Sequence, residues 1–193
     1  MEAFIPPPSH IPFYIRIGLW LARRAAGVDL LPPRLLAWYP KAAISSGILE
    51  ALIAHGDAHG CAHGCAHGGA HGDGRCDERL LKLVRMTVSF TVVCPFCMGL
   101  NSAGWEKLLT EDELLALQGR KSLDETPTFT PQERLAIEYA RLASQTPLAF
   151  TPEFGVRLRE QFTEREIVIL ATTAAQVNYW ARLIQALGCP PVG

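Results

Sequence analysis

The sequence carries no surplus of charge in either direction: 18 Lys and Arg residues face 19 Asp and Glu, for a formal net charge of -1. That balance excludes a basic nucleic-acid binder and a strongly charged, self-repelling chain. Uninterrupted apolar runs near the roughly 18 residues of a membrane span are lacking as well. The most apolar N-terminal piece, "IPFYIRIGLWLARRAAG", is broken by Arg16 and closed by Arg23 and Arg24. It has no basic start and no small-residue cleavage site, so it does not read as a signal peptide, and a cytoplasmic address is expected. Period-two alternation between hairpin turns is missing throughout, which leaves the sheet classes without support.

What remains is ordinary globular material. Hydrophobic residues make up 49% and charged residues 19% of 193 residues, enough for one sizeable domain spanning 1–193. Helix punctuation is plain. Thr110 with Glu113, Thr130 with Glu133 and Thr163 with Glu166 form three capping-box patterns; Pro131 and Pro152 fall at first helical positions, and Gly119 and Gly188 read as stops. Upstream, "IPFYIRIGLWLARRAAG" and "PPRLLAWYPKAAISSGILEALIA" read as helices separated by "VDLLPP". The segment "DERLLKLVRMTVSFTVV" has a helical start and a β-branched end; without partner strands nearby it reads as helix, and the class as all-α.

Six cysteines in a chain expected in a reducing compartment argue for chemistry rather than a disulfide framework. Cys61 and Cys65 lie inside a repeat, residues 55–74, that sets His55, His59, His63, His67 and His71 at a constant spacing of four. Imidazoles and thiolates suit zinc, nickel or copper, so these seven residues form an alternative metal-binding reading. A glycine in every unit costs about 1 kcal/mol each in a helix, and "AHGD" at both ends looks like one short unit multiplied. The repeat therefore reads as a low-complexity loop insertion between two helices.

The second cysteine cluster is "CPFCMGLN", with Cys94 and Cys97 at the start of a helix continuing through "MGLNSAGWEKLL". Two thiols at this spacing can close a disulfide, and a helix N-terminus favours the thiolate that reacts with peroxides and disulfides. Half a zinc site, or two small buried hydrophobes, are the competing readings. Trp180, Tyr179 and Asn178 read as core, with a place in the pocket wall as the alternative. Trp105 and Met98 read as core or interface, and Cys189 as a terminal thiol.

"LLKLVRMTVSFTVVCPFCMGLNSAGW" followed by "LTEDELLALQG", with "QERLAIEYARLASQTP" and "EREIVILATTAAQVNYWARLIQALGCPP" later, resembles the carboxymuconolactone decarboxylase/alkylhydroperoxidase D-like family over residues 30–191. The resemblance implies an alkylhydroperoxidase D-like helical bundle associating as trimers or hexamers. It implies peroxide reduction by Cys97 as attacking and Cys94 as resolving thiol, with re-reduction by a dithiol protein and no metal, flavin or haem. Two positions depart from the family pattern. Asn101 stands where a relay histidine is expected four residues after the second cysteine, and Lys82 where a glutamate is expected twelve before the first. Asn101 can donate a hydrogen bond but is no base near neutral pH. Lys82 can favour a thiolate by its charge or remain a solvated surface lysine; Glu78, one turn earlier, is a substitute carboxylate. The expected activity is a CxxC-dependent peroxidase. Its alternatives are a thiol–disulfide oxidoreductase, a cofactor-free lyase of the decarboxylase branch, or a metal-binding protein built on the histidine repeat. Expected partners are a small hydroperoxide or disulfide and a dithiol reductant, with no nucleic acid and no membrane.

Overall fold

A computed structural model describes residues 3–54 and 77–192, and among them it contains nine α-helices and no strand. They are α1 (Phe13–Ala26), α2 (Leu31–Leu36), α3 (Pro40–Leu49), α4 (Glu78–Thr91), α5 (Pro95–Ser102), α6 (Glu111–Leu117), α7 (Pro131–Leu142), α8 (Pro152–Gln161) and α9 (Glu164–Ala186). The expected loop at 55–74, with its histidines and cysteines, lies outside the described residues.

The β-branched end of α4 is helical because its hydroxyls are satisfied within the helix. Thr87 donates to the Leu83 carbonyl at 2.7 Å, Ser89 to Arg85 at 2.8 Å and Thr91 to Thr87 at 2.7 Å. α4 is then free to be apolar on two faces. Leu80, Leu81, Val84 and Val88 meet α7, α8 and α9, whereas Leu83 and Met86 meet Ile137 of α7 and Ala116 and Leu117 of α6. A helix covered from several sides is the hub of the bundle.

All three capping boxes are made. The backbone N–H groups of Thr110, Thr130 and Thr163 each donate to their glutamate partners at 2.8 Å. Two of those glutamates are also claimed by Arg79 in the first turns of α4: its Nη2 meets Glu113 and its Nε meets Glu133, each at 2.6 Å. One guanidinium thereby ties the N-termini of α6 and α7 to α4. Burial alone would push the Glu113 carboxyl up, but hydrogen bonds from Arg79, Thr110 and Thr128 hold it below the ordinary carboxylate value.

Two expected helices are shorter than their patterns. The segment after "VDLLPP" is broken at Tyr39, which takes an extended conformation before Pro40, the first residue of α3. Leu31 to Pro33 already belong to α2, and Glu50–Ala54 closes the segment as a single π-type turn. α5 stops at Ser102 rather than running through Leu109, because Ala103 is extended and Gly104 is left-handed at φ 67°. α9 is long and apolar enough to cross a membrane by length and composition. Here it carries Leu170, Ala174, Val177, Ala181 and Ile184 into the core.

Candidate active site

The turn between α4 and α5 builds the site. Val93 is held at φ 50°, a left-handed conformation that costs a β-branched residue about 1–3 kcal/mol. Neighbours hold the turn in place. The Gln185 amide on α9 donates to the carbonyls of Val92 at 3.0 Å and Val93 at 3.2 Å, and the Cys94 N–H returns to Ser89 O at 3.2 Å. Cys94 emerges as the N-cap of α5, with Pro95 next, where its missing N–H costs nothing.

The cap ligand is sulfur. Cys94 Sγ accepts the backbone N–H of Cys97 at 3.3 Å, the task that threonine oxygens perform on α6 to α9. Both cysteines are free thiols and buried, and their side chains approach to 2.5 Å. Hydrogen bonding from the Cys97 thiol, outweighing burial and helped by the N–H groups of Cys97 and Phe96, lowers the Cys94 thiol from 9.0 to about 7. Cys97 moves the opposite way, pushed up by its bond to Cys94, by burial and by the Cys94 charge. The direction of the two shifts favours the thiolate on Cys94, whereas the family resemblance implies attack by Cys97.

The pair is packed among apolar groups: Phe96, Ala181 and Ile184, with Leu100, Trp180 and Cys189 against them. Asn101 stands one turn beyond Cys97 and donates to Ser89 Oγ at 2.8 Å, pinning α5 to α4 beneath the cysteines. Lys82 donates to the Ala103 carbonyl at 2.7 Å, so its charge caps the C-terminal end of α5; burial, then Arg85, lowers it below the usual lysine value. Glu78 is exposed in the first turn of α4, where its charge acts on Lys82. Asn101 is therefore tied to Ser89 of α4, whereas Lys82 meets the C-terminal end of α5 and Glu78 acts on Lys82 only as a charge. Trp105 packs with the α4–α6 cluster, Met98 is half-buried on α5, and Asn178 donates to Ser144 Oγ at 3.2 Å as a structural tie.

Several neighbours of the site were not singled out by pattern. Glu50 in the π-type turn accepts from Gln176 at 2.8 Å and from the Trp180 indole at 2.9 Å, fixing the ring that packs on the thiol cluster. Gln176 and Trp180 lie four apart on α9, a spacing that marks a shared face, but nothing local names Glu50 as their acceptor. Ser46 and Tyr179 share a hydrogen bond of 2.6 Å beside them. A cleft of about 610 Å³, lined by Phe90, Thr91, Arg141, Gln145 and the 117–124 turn, includes neither cysteine of the pair. Among the described residues no group of three or more His, Cys, Asp or Glu side chains is arranged to hold a metal ion. The histidines of the metal alternative lie outside the described residues.

No family model matches the sequence. The Escherichia coli (strain K12) protein YnjA is 26% identical over 190 residues, covering 98% of this chain and 94% of the relative. Among solved structures, the debrominase Bmp8 in complex with 2,3,4-tribromopyrrole superposes with a TM-score of 0.75 at 15% identity, covering 100% of this chain and 94% of that one. A peroxidase-related protein of Ralstonia eutropha JMP134, described as an alkylhydroperoxidase AhpD core, superposes with a TM-score of 0.70 at 17% identity, covering 100% and 93%. These likenesses span the chain from end to end and agree with the resemblance carried by "CPFCMGLN" and its flanking helices: the fold of this protein is alkylhydroperoxidase D-like.

Proposed function

We propose that the chain is a thiol-dependent oxidoreductase of the carboxymuconolactone decarboxylase/alkylhydroperoxidase D-like family, a peroxidase that reduces a small hydroperoxide through Cys94 and Cys97. The observation that carries this reading is the Cys94 sulfur at the N-cap of α5, accepting the Cys97 N–H, with its thiol lowered to about 7 beside a Cys97 thiol that is pushed up. The Cys94 thiolate attacks the terminal peroxide oxygen and the O–O bond breaks. The departing alkoxide takes the Cys97 proton, leaving a sulfenic acid on Cys94 and a thiolate on Cys97. Cys97 then attacks the sulfenic sulfur, expelling hydroxide and closing the Cys94–Cys97 disulfide. An external dithiol protein reduces it by exchange. In this order Cys97 supplies the proton that a relay histidine would otherwise deliver, and Asn101 only orients the turn.

Turnover of hydroperoxide with dithiothreitol as reductant tests the proposal. Cys94→Ser should abolish it and Cys97→Ser should slow it by about tenfold or more through loss of the proton donor, and unchanged turnover in Cys94→Ser would overturn the dithiol mechanism. Dimedone trapping orders the thiols. A sulfenic acid on Cys94 in Cys97→Ser supports attack by Cys94; one on Cys97 in Cys94→Ser, with none in Cys97→Ser, restores the order implied by the resemblance.

A second reading has its own support. The apolar cover of Leu100 and Trp180 suits a flat soft electrophile as well as a peroxide, and the debrominase shares the fold. Reductive removal of bromine from an aryl bromide would consume the two thiols and release the arene, bromide and a proton. Bromide release from 2,3,4-tribromopyrrole under the same conditions distinguishes it.

The proposed setting is cytoplasmic and free of cofactor. The proposed assembly is a homo-oligomer, a trimer or hexamer, supported by the large apolar side chains that α1 and α3 leave exposed, Phe13, Ile17, Trp20, Ile44 and Ile48 among them. Light scattering behind size exclusion should give a mass of three or six chains.

A further inference from the structure

The C-terminus of α9 ends on a built turn rather than fraying. Gly188 adopts φ 66° and donates to Gln185 O at 3.0 Å, and Cys189 donates to Ile184 O at 3.1 Å. These are the two bonds of a Schellman motif, which folds the residue after the glycine back onto the last helical turn. Phe4 reinforces it from the other terminus, donating to Leu187 O at 3.0 Å. The residue folded back is Cys189, and it packs with Ile184, Cys94 and Cys97 in one cluster that Val192 also joins. Three thiols, two from the start of α5 and one from the turn after α9, therefore share one apolar site.

We propose that Cys189 is a second resolving thiol of this site, condensing with oxidised Cys94 to form a Cys94–Cys189 disulfide. The inference rests on the dithiol reading above and deepens it. In the peroxidase cycle the Cys189 sulfur attacks the sulfenic sulfur of Cys94. An S–S bond forms, the S–O bond breaks, and hydroxide leaves with the Cys189 proton as water. Each hydroperoxide thus oxidises two thiols to one disulfide. Two features of the site favour this route. Cys94 and Cys97 are buried, whereas Cys189 is half-exposed, so the new disulfide offers a bulky dithiol protein a sulfur it can reach. Attack there expels the Cys94 thiolate, and a thiol lowered to about 7 is the better leaving group. In the reduced state burial, and then the Cys94 charge, push the Cys189 thiol up and keep it neutral. Oxidation of Cys94 removes that charge and frees Cys189 to react.

The full-length Cys97→Ser protein, reduced and then given one equivalent of diamide, tests this without any peroxidase activity. Diamide forms an adduct on a thiolate, and a second thiol displaces it to leave a disulfide. Non-reducing peptide mapping should find Cys94–Cys189 as the main cross-link, about tenfold or more above any link to Cys61, Cys65 or Cys76, because packed sulfurs have the higher effective concentration. Cys97→Ala should give the same product, which guards against a local effect of the serine hydroxyl. Cys97→Ser/Cys189→Ser should accumulate several times more dimedone-reactive sulfenic acid on Cys94 with hydroperoxide than Cys97→Ser, in which Cys189 consumes most of it. A Cys94 that stays unlinked, or links elsewhere, in both single variants overturns the proposal. Loss of hydroperoxide turnover in the unmutated protein would instead overturn the peroxidase reading and leave the diamide result standing.

Discussion

The side chain of Asn101 donates to the hydroxyl of Ser89 across 2.8 Å, directly beneath the turn that presents Cys94. The Ser89 hydroxyl itself donates to the Arg85 carbonyl, so the amide is anchored to the body of α4. A group without basicity thus holds, by position, the place where the family resemblance puts a proton relay. Because Cys97 supplies the proton, Asn101→His should leave hydroperoxide turnover within about threefold of the unmutated rate, far short of the roughly 10²–10⁴-fold that a positioned acid–base group contributes where none is present. Steady-state rates with dithiothreitol read the change. A rise of about a hundredfold or more would show that the Cys97 proton does not reach the departing alkoxide.

The charge division within the dithiol sets a pH dependence. Alkylation of Cys94 by iodoacetamide should rise through a midpoint near pH 7, two pH units below the ordinary thiol at 9.0. In Cys97→Ser the midpoint should move upward, because hydrogen bonding from the Cys97 thiol is the largest cause of the lowering. Since Cys94 is lowered in the folded state, its ionisation stabilises the reduced fold above the ordinary thiol value. That contribution is lost as pH falls from 9 toward and through 7. The oxidised protein should lack this window. Thermal melts of both forms between pH 6 and 9 check the sign.

Arg79 joins two capping boxes through Glu113 and Glu133, and Glu113 is only 2% exposed. Arg79→Met should destabilise the protein by about 3 kcal/mol, because it strands a buried carboxylate. Adding Glu113→Gln should recover part of the loss. Urea denaturation of the single and double variants measures both, and a loss below about 0.5 kcal/mol would mean that the carboxylates are rehydrated.

Gly188 occupies the left-handed region at φ 66°, and a Cβ there would meet the Phe4 ring at 2.7 Å. Gly188→Ala should cost about 1–2 kcal/mol from the backbone conformation, and Gly188→Asn less, because asparagine tolerates this region. The same change should diminish the Cys94–Cys189 cross-link in a Cys97→Ser background. Diamide cross-linking and melting curves on the same samples separate stability from thiol placement.

Deleting residues 58–71 should leave the melting temperature and the Cys94/Cys97 redox potential unchanged, since added loop length costs little closure entropy. Calorimetry with zinc and nickel on the full and shortened chains completes the test. Metal affinity that vanishes together with thiol turnover would support the metal reading of the repeat instead.

Local chemistry was legible in the residues themselves. Thr110–Glu113, Thr130–Glu133 and Thr163–Glu166 work within one helical turn, and the cap of α5 joins Cys94 to Cys97 over the same span. Those short-range rules determine the all-α class, most helix starts, and a dithiol at a helix N-terminus. Where they misled, in the segments before Pro40 and after Ser102, an extended Tyr39 and a left-handed Gly104 ended helices whose apolar pattern ran on.

Only tertiary packing decided what surrounds the dithiol. Arg79 reaches Glu133 across 54 residues of chain, and Glu50 receives Trp180 across 130. Cys189 is ordinary by its neighbours in sequence, and becomes part of the thiol cluster once α9 lies along α4 and its last turn folds back. Helix caps follow from i to i+3 geometry, so the sequence by itself specifies them. Which carboxylate, amide or third thiol faces a buried sulfur depends on how several helices pack at once. That arrangement also left Asn101 on Ser89, Lys82 on the Ala103 carbonyl, and the Cys97 thiol against Cys94 as the group that lowers it.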